Sequence, residues 1–295
     1  MDFFVQLLIN GIVIGSIYAL VALGFVIIYK ASSIVNFAQG ELLMVGAYIC
    51  LALTTDWRVP IVPAFLLTLV FAAALGVLLE RLILRPMIGE PVISVIMVTL
   101  GLSSILRAIV QGIWGTDTKA FPSPFPSAPV MLGPVPVSQG YLWSVGCVAV
   151  LLVLFTFFFR NARAGIAMRA TAFSQQVALS MGISVKRIFA LSWSIAAVVS
   201  AIGGVLLASI RGGLDGSLAF LGLKAVPVAI LGGLDSIQGA IVGGVAIGIL
   251  ENLSGGYLDP MFGGGVKEVA PFVALVLILM IKPYGLFGKV RIERV

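Results

Sequence analysis

An all-α protein that crosses a membrane about eight or nine times is the fold this sequence predicts. Two observations carry that reading. Of the 295 residues, 60% are hydrophobic and only 10% charged, where a soluble domain would carry about 25% charged side chains. Apolar runs close to the ~20 residues needed to cross a bilayer also recur along the whole chain, consistent with a mean hydropathy of +1.17. The sequence is read as one transmembrane unit, residues 1–295, with a loop at 114–140, a basic segment at 160–187 and a glycine-broken region at 217–252.

The first apolar run, about 5–29, is too long for the core of a signal peptide and has no basic segment before it, so a retained span is expected. Gly11 and Gly15 in it form a G-x-x-x-G pair suited to close helix packing. After Lys30 a second apolar segment begins with three polar residues, Asn36, Gln39 and Glu41. Residues 60–80 form a third span and 91–113 a fourth, with Arg107 late in it. Residues 114–140 carry six prolines, at 122, 124, 126, 129, 134 and 136, and are expected to be an extended outer loop. Spans at 141–159 and 188–210 flank the basic segment. Beyond Arg211, glycine-rich sequence interrupted by Lys224, Pro227, Asp235 and Gln238 predicts two short elements, roughly 217–233 and 237–252, joined by Gly-Gly-Leu-Asp-Ser. Broken segments of this kind are tolerated at membrane depth only where they are buried or line a cavity. A last span, 266–281, precedes a basic tail. Gln39-Gly40 and Gln238-Gly239 each open a small-residue helix, a faint internal echo that chance could also produce in so glycine-rich a chain.

Placing the N-terminus outside puts Lys30, Arg81, Arg85, Arg160, Arg163, Arg169, Lys186, Arg187, Lys282, Lys289, Arg291 and Arg294 inside, twelve of the 18 basic residues. Arg58, Lys119, Arg211 and Lys267 then lie outside, as the positive-inside rule favours. The chain has no histidine and two isolated cysteines, Cys50 and Cys147. Histidine-based catalysis, Cys/His zinc sites and iron–sulfur clusters are thereby excluded, and no phosphate-binding loop is present. No cofactor is expected, and any ATP-driven work requires another polypeptide to bind the nucleotide.

The segment 160–187 carries five basic residues and no acidic one. Ile166, Ala170, Phe173, Val177 and Met181 recur at steps of four, three, four and four, which predicts one face of a single helix, with Gln175 opposite and Gly182 as its stop. Two readings fit: a helix presented to a protein partner, or an interfacial helix on anionic lipid. Elsewhere, ionisable residues in apolar sequence are few. Glu41 and Glu251 lie near predicted helix ends, where water or capping would serve them, and Arg107 is long enough to reach outward. The polar start of the second segment either offers a helix N-terminus to an anionic ligand or is simply capped by Asn36. The glycine pairs, including those at 239–243 and 244–248, read as packing devices.

Four stretches together, VNFAQGELLMVGAY (35–48), NARAGIAMRATAFSQQVALSMGI (161–183), ILGGLDSIQGAIVGGVAIGILE (230–251) and KPYGLFG (282–288), closely resemble the LivH-type permease subunits of ATP-binding-cassette importers for branched-chain amino acids. The resemblance covers essentially the whole chain. It implies a bacterial inner-membrane protein, for which the charge count above places the N-terminus outside and the C-terminus in the cytoplasm. It also implies a second, similar permease, two cytoplasmic ATPase subunits and a periplasmic binding protein that delivers leucine, isoleucine or valine. The family's coupling helix maps onto Gly165, Arg169, Ala170, Gln176, Ala178 and Gly182, with Phe173 and Val177 on the apolar docking face. The glutamate of the broader importer motif is missing. Alternating access is the implied mechanism, with Asn36, Gln39, Glu41, Asp235 and Gln238 expected along the substrate path. Urea or short-amide permeases share the pattern. A self-sufficient ion-coupled carrier or channel is the rival from another class, and only Asp235 could serve it; no nucleophile–base pair supports a membrane enzyme.

Overall fold

The computed structural model describes residues 2–123, 125–126, 128–132 and 135–288. Pro124, Pro134 and the tail residues Lys289, Arg291 and Arg294 lie outside the described residues. The helices and strands, in chain order, are α1 (Asp2–Ser32), α2 (Gln39–Thr55), α3 (Ile61–Leu79), α4 (Val92–Trp114), β1 (Lys119–Ala120), β2 (Val130–Leu132), β3 (Val135–Val137), α5 (Gln139–Asn161), α6 (Arg163–Phe173), α7 (Gln175–Ser180), α8 (Val185–Arg211), β4 (Gly213–Leu214), α9 (Leu218–Leu223), α10 (Ala225–Gly232), α11 (Ile237–Leu253), α12 (Asp259–Phe262) and α13 (Val266–Ile281). Turns of π-helix extend α3 over Glu80–Leu84 and α11 over Ser254–Leu258. Among the described residues, six helices are long and apolar enough to cross a membrane: α1, α3 and α11 with their extensions, α4, α5 and α8. Two shorter apolar helical stretches, 39–55 and 218–232, pack among them.

Local sequence explains where these helices start and stop. Pro60 and Pro91, in extended backbone, stand immediately before α3 and α4, where a missing N–H costs nothing. Gly212 ends α8 in the left-handed conformation, at φ 66°, that favours glycine at a helix C-terminus. The segment 33–38 is not helical, so the second apolar stretch begins its helix only at Gln39.

The molecule is layered about α1. The apolar windows of α1 and α8 are 89% and 78% buried, against 22% for α3, α4 and α5, so the first two form the interior and the others an outer shell. Helices α1 and α11 run antiparallel along a glycine seam. A Cβ on Gly11 would fall 2.7 Å from the Ile249 Cα, and one on Gly15 would fall 2.9 Å from the Val245 Cα. From the other side, Gly244 abuts Ala19 and Gly248 abuts Gly11 and Gly15. Gly46 and Gly204 let α2 and α8 meet in the same way, against Ala201 and Leu43. The glycine clusters are packing devices, as their spacing predicts. Between lipid-compatible helices it is close backbone contact, rather than expulsion of water, that supplies the attraction.

At one end of this bundle lie the start of α1, the β2–β3 hairpin and a two-residue antiparallel pairing of β1 with β4. At the other end lie Lys30, whose ammonium stands 5.9 Å from the Phe159 ring centroid, and α6 and α7. The 233–236 turn into α11 sits at this end too, held by Leu286 and Phe287 N–H groups donating to the Leu231 and Gly232 carbonyls.

The expected two-part broken region is present, with its turn at 233–236, but the first part is itself divided at Lys224 into α9 and α10. The single helix expected over 166–181 is not formed. Ser174 adopts extended backbone (φ −157°, ψ 117°), and its side-chain oxygen accepts from the Val177 N–H, capping a new helix. The chain past α7 then turns at Gly182, φ +79°, the stop its sequence predicts.

The glycine seam makes a direct prediction. Gly248→Leu should destabilise the detergent-solubilised protein by about 2 kcal/mol or more, because the new side chain meets backbone on α1. Gly101→Ala, where nothing lies within 4 Å of the added Cβ, should leave the thermal midpoint unchanged or raise it slightly. Equal effects of the two substitutions would discard the seam as the source of the packing.

Candidate functional site

The polar start of α2 is enclosed. Asn36, Gln39 and Glu41 each have no exposed surface. The Asn36 side chain accepts from the Ala38 N–H at 3.0 Å, forming an Asx turn into the helix, and its amide donates to Gln39 Oε1 at 3.3 Å. Gln39 Nε2 donates to the Ser200 hydroxyl at 2.7 Å and to the Ala196 carbonyl at 3.3 Å on α8. Gly24 on α1 leaves the space that the Gln39 amide occupies. These contacts satisfy buried amides that hydrocarbon would leave unpaired.

Glu41, one residue past Gly40, reaches α4. Its Oε1 accepts from Arg107 Nη2 at 2.6 Å, an ion pair between residues 66 apart in sequence. The Arg107 guanidinium also lies over the Phe220 ring of α9, 4.5 Å from its centroid. Neither residue behaves as expected: Glu41, near its helix start, does not reach water, and Arg107 is held by Glu41 rather than extended outward. The pair is incompletely satisfied. Glu41 Oε2 and Arg107 Nε are buried without a hydrogen-bond partner.

A second buried charge cluster joins the broken region to the last helices. Lys224, between α9 and α10, donates to Glu251 Oε1 at 2.8 Å and meets Glu268 Oε2 of α13 at 2.7 Å. Lys224 and Glu251 are buried while Glu268 is two-thirds exposed. The expected access of Glu251 to water is therefore replaced by an internal ion pair. A third pair, bidentate, links Arg85 to buried Glu80 at the end of α3. Charges this costly to bury persist where a partner is fixed beside them.

Asp235 and Gln238 sit apart from Asn36, Gln39 and Glu41. Asp235 is half-buried in the turn before α11, and Gln238 is exposed in the first turn of that helix. Of the residues assigned to the basic segment, Gly165 and Ala178 face inward: a Cβ on Gly165 would lie 2.7 Å from the Phe159 Cα, and Ala178 is 2% exposed. Phe173 (92% exposed), Met181 (76%), Val177 (58%) and Leu179 point away from the bundle. Ala170 is half-buried, Gln176 is exposed and Arg169 donates to the Arg160 carbonyl at 3.4 Å.

One feature lies outside the sequence reading. Thr99, Ser103, Arg107 and Gln111 recur at steps of four along α4 and so share one flank of that helix. Thr99 is buried and its hydroxyl accepts from the Phe37 N–H at 3.3 Å, so the flank starts beside α2. Gln111, exposed, ends it near Gly216. The repeat was visible as spacing, but the surrounding isoleucines and valines mask it in any hydropathy average. Just beyond, the Asp215 carboxyl is held below its ordinary range. The Ser217 hydroxyl is the main cause, acting against partial burial, with the Ser217 N–H (2.8 Å), Thr118 (3.3 Å) and Arg211 adding to it. Among the described residues, no three His, Cys, Asp or Glu side chains are grouped so as to hold a metal ion.

Two predictions follow from these charges. Lys224→Met alone should cost about 3–5 kcal/mol by stranding Glu251, and adding Glu251→Gln should recover much of it; additive losses in thermal unfolding would mean the pair is not coupled. Asp215, with its depressed pKa, contributes stability that is fully present above the ordinary carboxylate value of 3.8 and is lost as pH falls through the depressed one. Amide exchange in the β1–β4 pairing should therefore be insensitive to pH changes above that range, once corrected for intrinsic rates, and accelerate below it, and Asp215→Asn should abolish the transition.

Comparison with known proteins places this architecture. Residues 7–282 match the family described as the permease component of branched-chain amino acid transport systems. The high-affinity branched-chain amino acid transport permease LivH of Escherichia coli K12 is 33% identical, with the alignment covering 99% of this chain and 98% of that one. LivH of Salmonella typhimurium is 32% identical and BraD of Pseudomonas aeruginosa 33%, each over the same shares of the two chains. With its apolar helices and a match spanning nearly its whole length, the chain belongs to the family of branched-chain amino acid transport permeases.

Proposed function

We propose that the chain is one permease subunit of an ATP-binding-cassette importer that carries leucine, isoleucine or valine across a bacterial inner membrane. The observation that carries the reading is the α6–α7 pair. Two short helices stand at one end of the bundle and display Phe173, Val177, Leu179 and Met181 to the surroundings. Arg160, Arg163, Arg169, Lys186 and Arg187 surround them without an acidic residue between. Apolar side chains this exposed at a charged rim fit a protein groove, here that of an ATPase subunit. The full complex would hold a second, homologous permease, two ATPase subunits beneath and a binding protein above.

In this reading the chain crosses nine times: α1 to α5, α8, the α9–α10 stretch, α11 and α13. That count puts the N-terminus outside and gathers Lys30, Arg85, Arg160 and the α6–α7 basic residues in the cytoplasm, as the positive-inside rule favours. ATP-driven closure of the ATPases would press α6 and α7, and the press would pass to α5, α1 and α8, against which α6 packs. Asn36, Gln39 and Glu41 then act as a fixed polar frame beside the substrate path, while Asp235 and Gln238 stand near its cytoplasmic end.

The test is purification of the tagged chain from native membranes with its bound subunits identified, beside a Phe173→Asp/Val177→Asp variant. ATPase subunits and a second permease should accompany the wild type, and the variant should lose the ATPases while keeping the permease. Recovery of the chain alone would reject the importer reading.

A further inference from the structure

We propose that the polar flank of α4 is the wall of the substrate path, and that Arg107 on it receives the carboxylate of the transported amino acid. The inference rests on the importer reading for the identity of the substrate, but the placement of the wall does not.

The two sides of α4 differ. Ser103, Arg107 and Gln111 follow one another at steps of four on one flank, while Ile105 and Ile109, both exposed, occupy the other. A lipid-facing helix has no use for such a division, because hydrocarbon favours apolar side chains all round. An arginine inside a span faces the protein interior or a water-filled cavity. Arg107 is enclosed on one side by Glu41 and Phe220, yet its side chain keeps 28% of its surface exposed. That open edge therefore looks into water rather than acyl chains. The flank also has a continuous course: from Thr99, bonded to the Phe37 N–H at the mouth of α2, past Arg107, to Gln111 and the Arg211–Asp215–Ser217 cluster at the bundle end.

The chemistry at its midpoint suits a carboxylate that carries an apolar side chain. A guanidinium has five N–H donors, and Arg107 gives one of them, on Nη2, to the fully enclosed Glu41. Its partly exposed edge can therefore take a second carboxylate without releasing the first. Phe220, 56% exposed, and Leu100, 42% exposed, supply apolar surface beside it. Glu41 is the positioning residue: buried and fixed on α2, it holds the guanidinium toward the flank.

The experiment uses the complete transporter, reconstituted with its second permease, ATPases and binding protein, in a background with Cys50→Ala and Cys147→Ser. Ser103→Cys should react with a charged, membrane-impermeant thiosulfonate, and leucine-loaded binding protein with ATP should change the rate. Ile105→Cys should not react. Unreactive Ser103→Cys, or equal reaction at both positions, would show that the flank faces lipid and overturn the proposal; failure of the wild type to take up leucine would instead overturn the substrate assignment. Because Arg107→Gln alone strands Glu41, it is read beside Arg107→Gln with Glu41→Gln, which strands no charge. The double variant should assemble with its partner subunits yet lose leucine uptake about tenfold or more, while Arg107→Lys keeps most of it. Wild-type uptake in the double variant would remove Arg107 from the path, and its failure to assemble would make the role of the pair structural.

Discussion

The contact on which the rest of this structure depends is the one between the backbones of α1 and α11. Gly11 and Gly15 on one helix and Gly244 and Gly248 on the other bring the two chains so close that no side chain fits between them. In hydrocarbon there is little gain in hiding apolar surface from lipid, so helices hold together through shape and through polar contacts. Here the shape term is concentrated in one seam. With α1 fixed against α11, α8 packs on another face of α1 and α2 packs on α8, and α3, α4 and α5 are left as a shell.

Against that small-residue interior the buried charges act as fixed points. Beside the local Glu80–Arg85 pair, two of them join elements apart in the chain: Glu41 to Arg107, and Lys224 to Glu251 and Glu268. A charge enclosed in this way restricts where its helix can go, since sliding it by a turn would strand both partners at a cost of several kcal/mol. The broken α9–α10 stretch illustrates the point. Its helix is interrupted at Lys224, and the same residue is the one tied to α11 and α13, so the irregular backbone is also the best-anchored part of that stretch.

Much of this was legible in the sequence, and what was not has identifiable causes. The order of spans, the GGLDS turn, the Gly182 stop and the packing role of the glycines all follow from local pattern. Glu41 and Arg107 could each be flagged as costly, but nothing local says that residues 66 positions apart are partners. The break at Ser174 was written in the sequence as a serine suited to capping, and a regular apolar period running through it concealed the signal. The α4 flank was concealed in the opposite way: its polar repeat is regular, but it is outnumbered by the isoleucines around it. The family match over residues 7–282 agrees with the resemblance that the four motif stretches carry.

The interruption at Ser174 has one more consequence. A continuous rod pressed at its tip moves as one piece and transmits a single displacement. Here α6 is seated by Gly165 on α5, while α7 leads through Gly182 directly into α8. Phe173 stands at the elbow between them, almost wholly exposed. In the proposed importer a load applied at that elbow would be resolved into two components, one along each arm, with α6 passing its share mainly to α5 and α1 and α7 passing its share to α8. The segment would then work as a bell crank, turning one push into two motions whose ratio is set by the angle at a single serine.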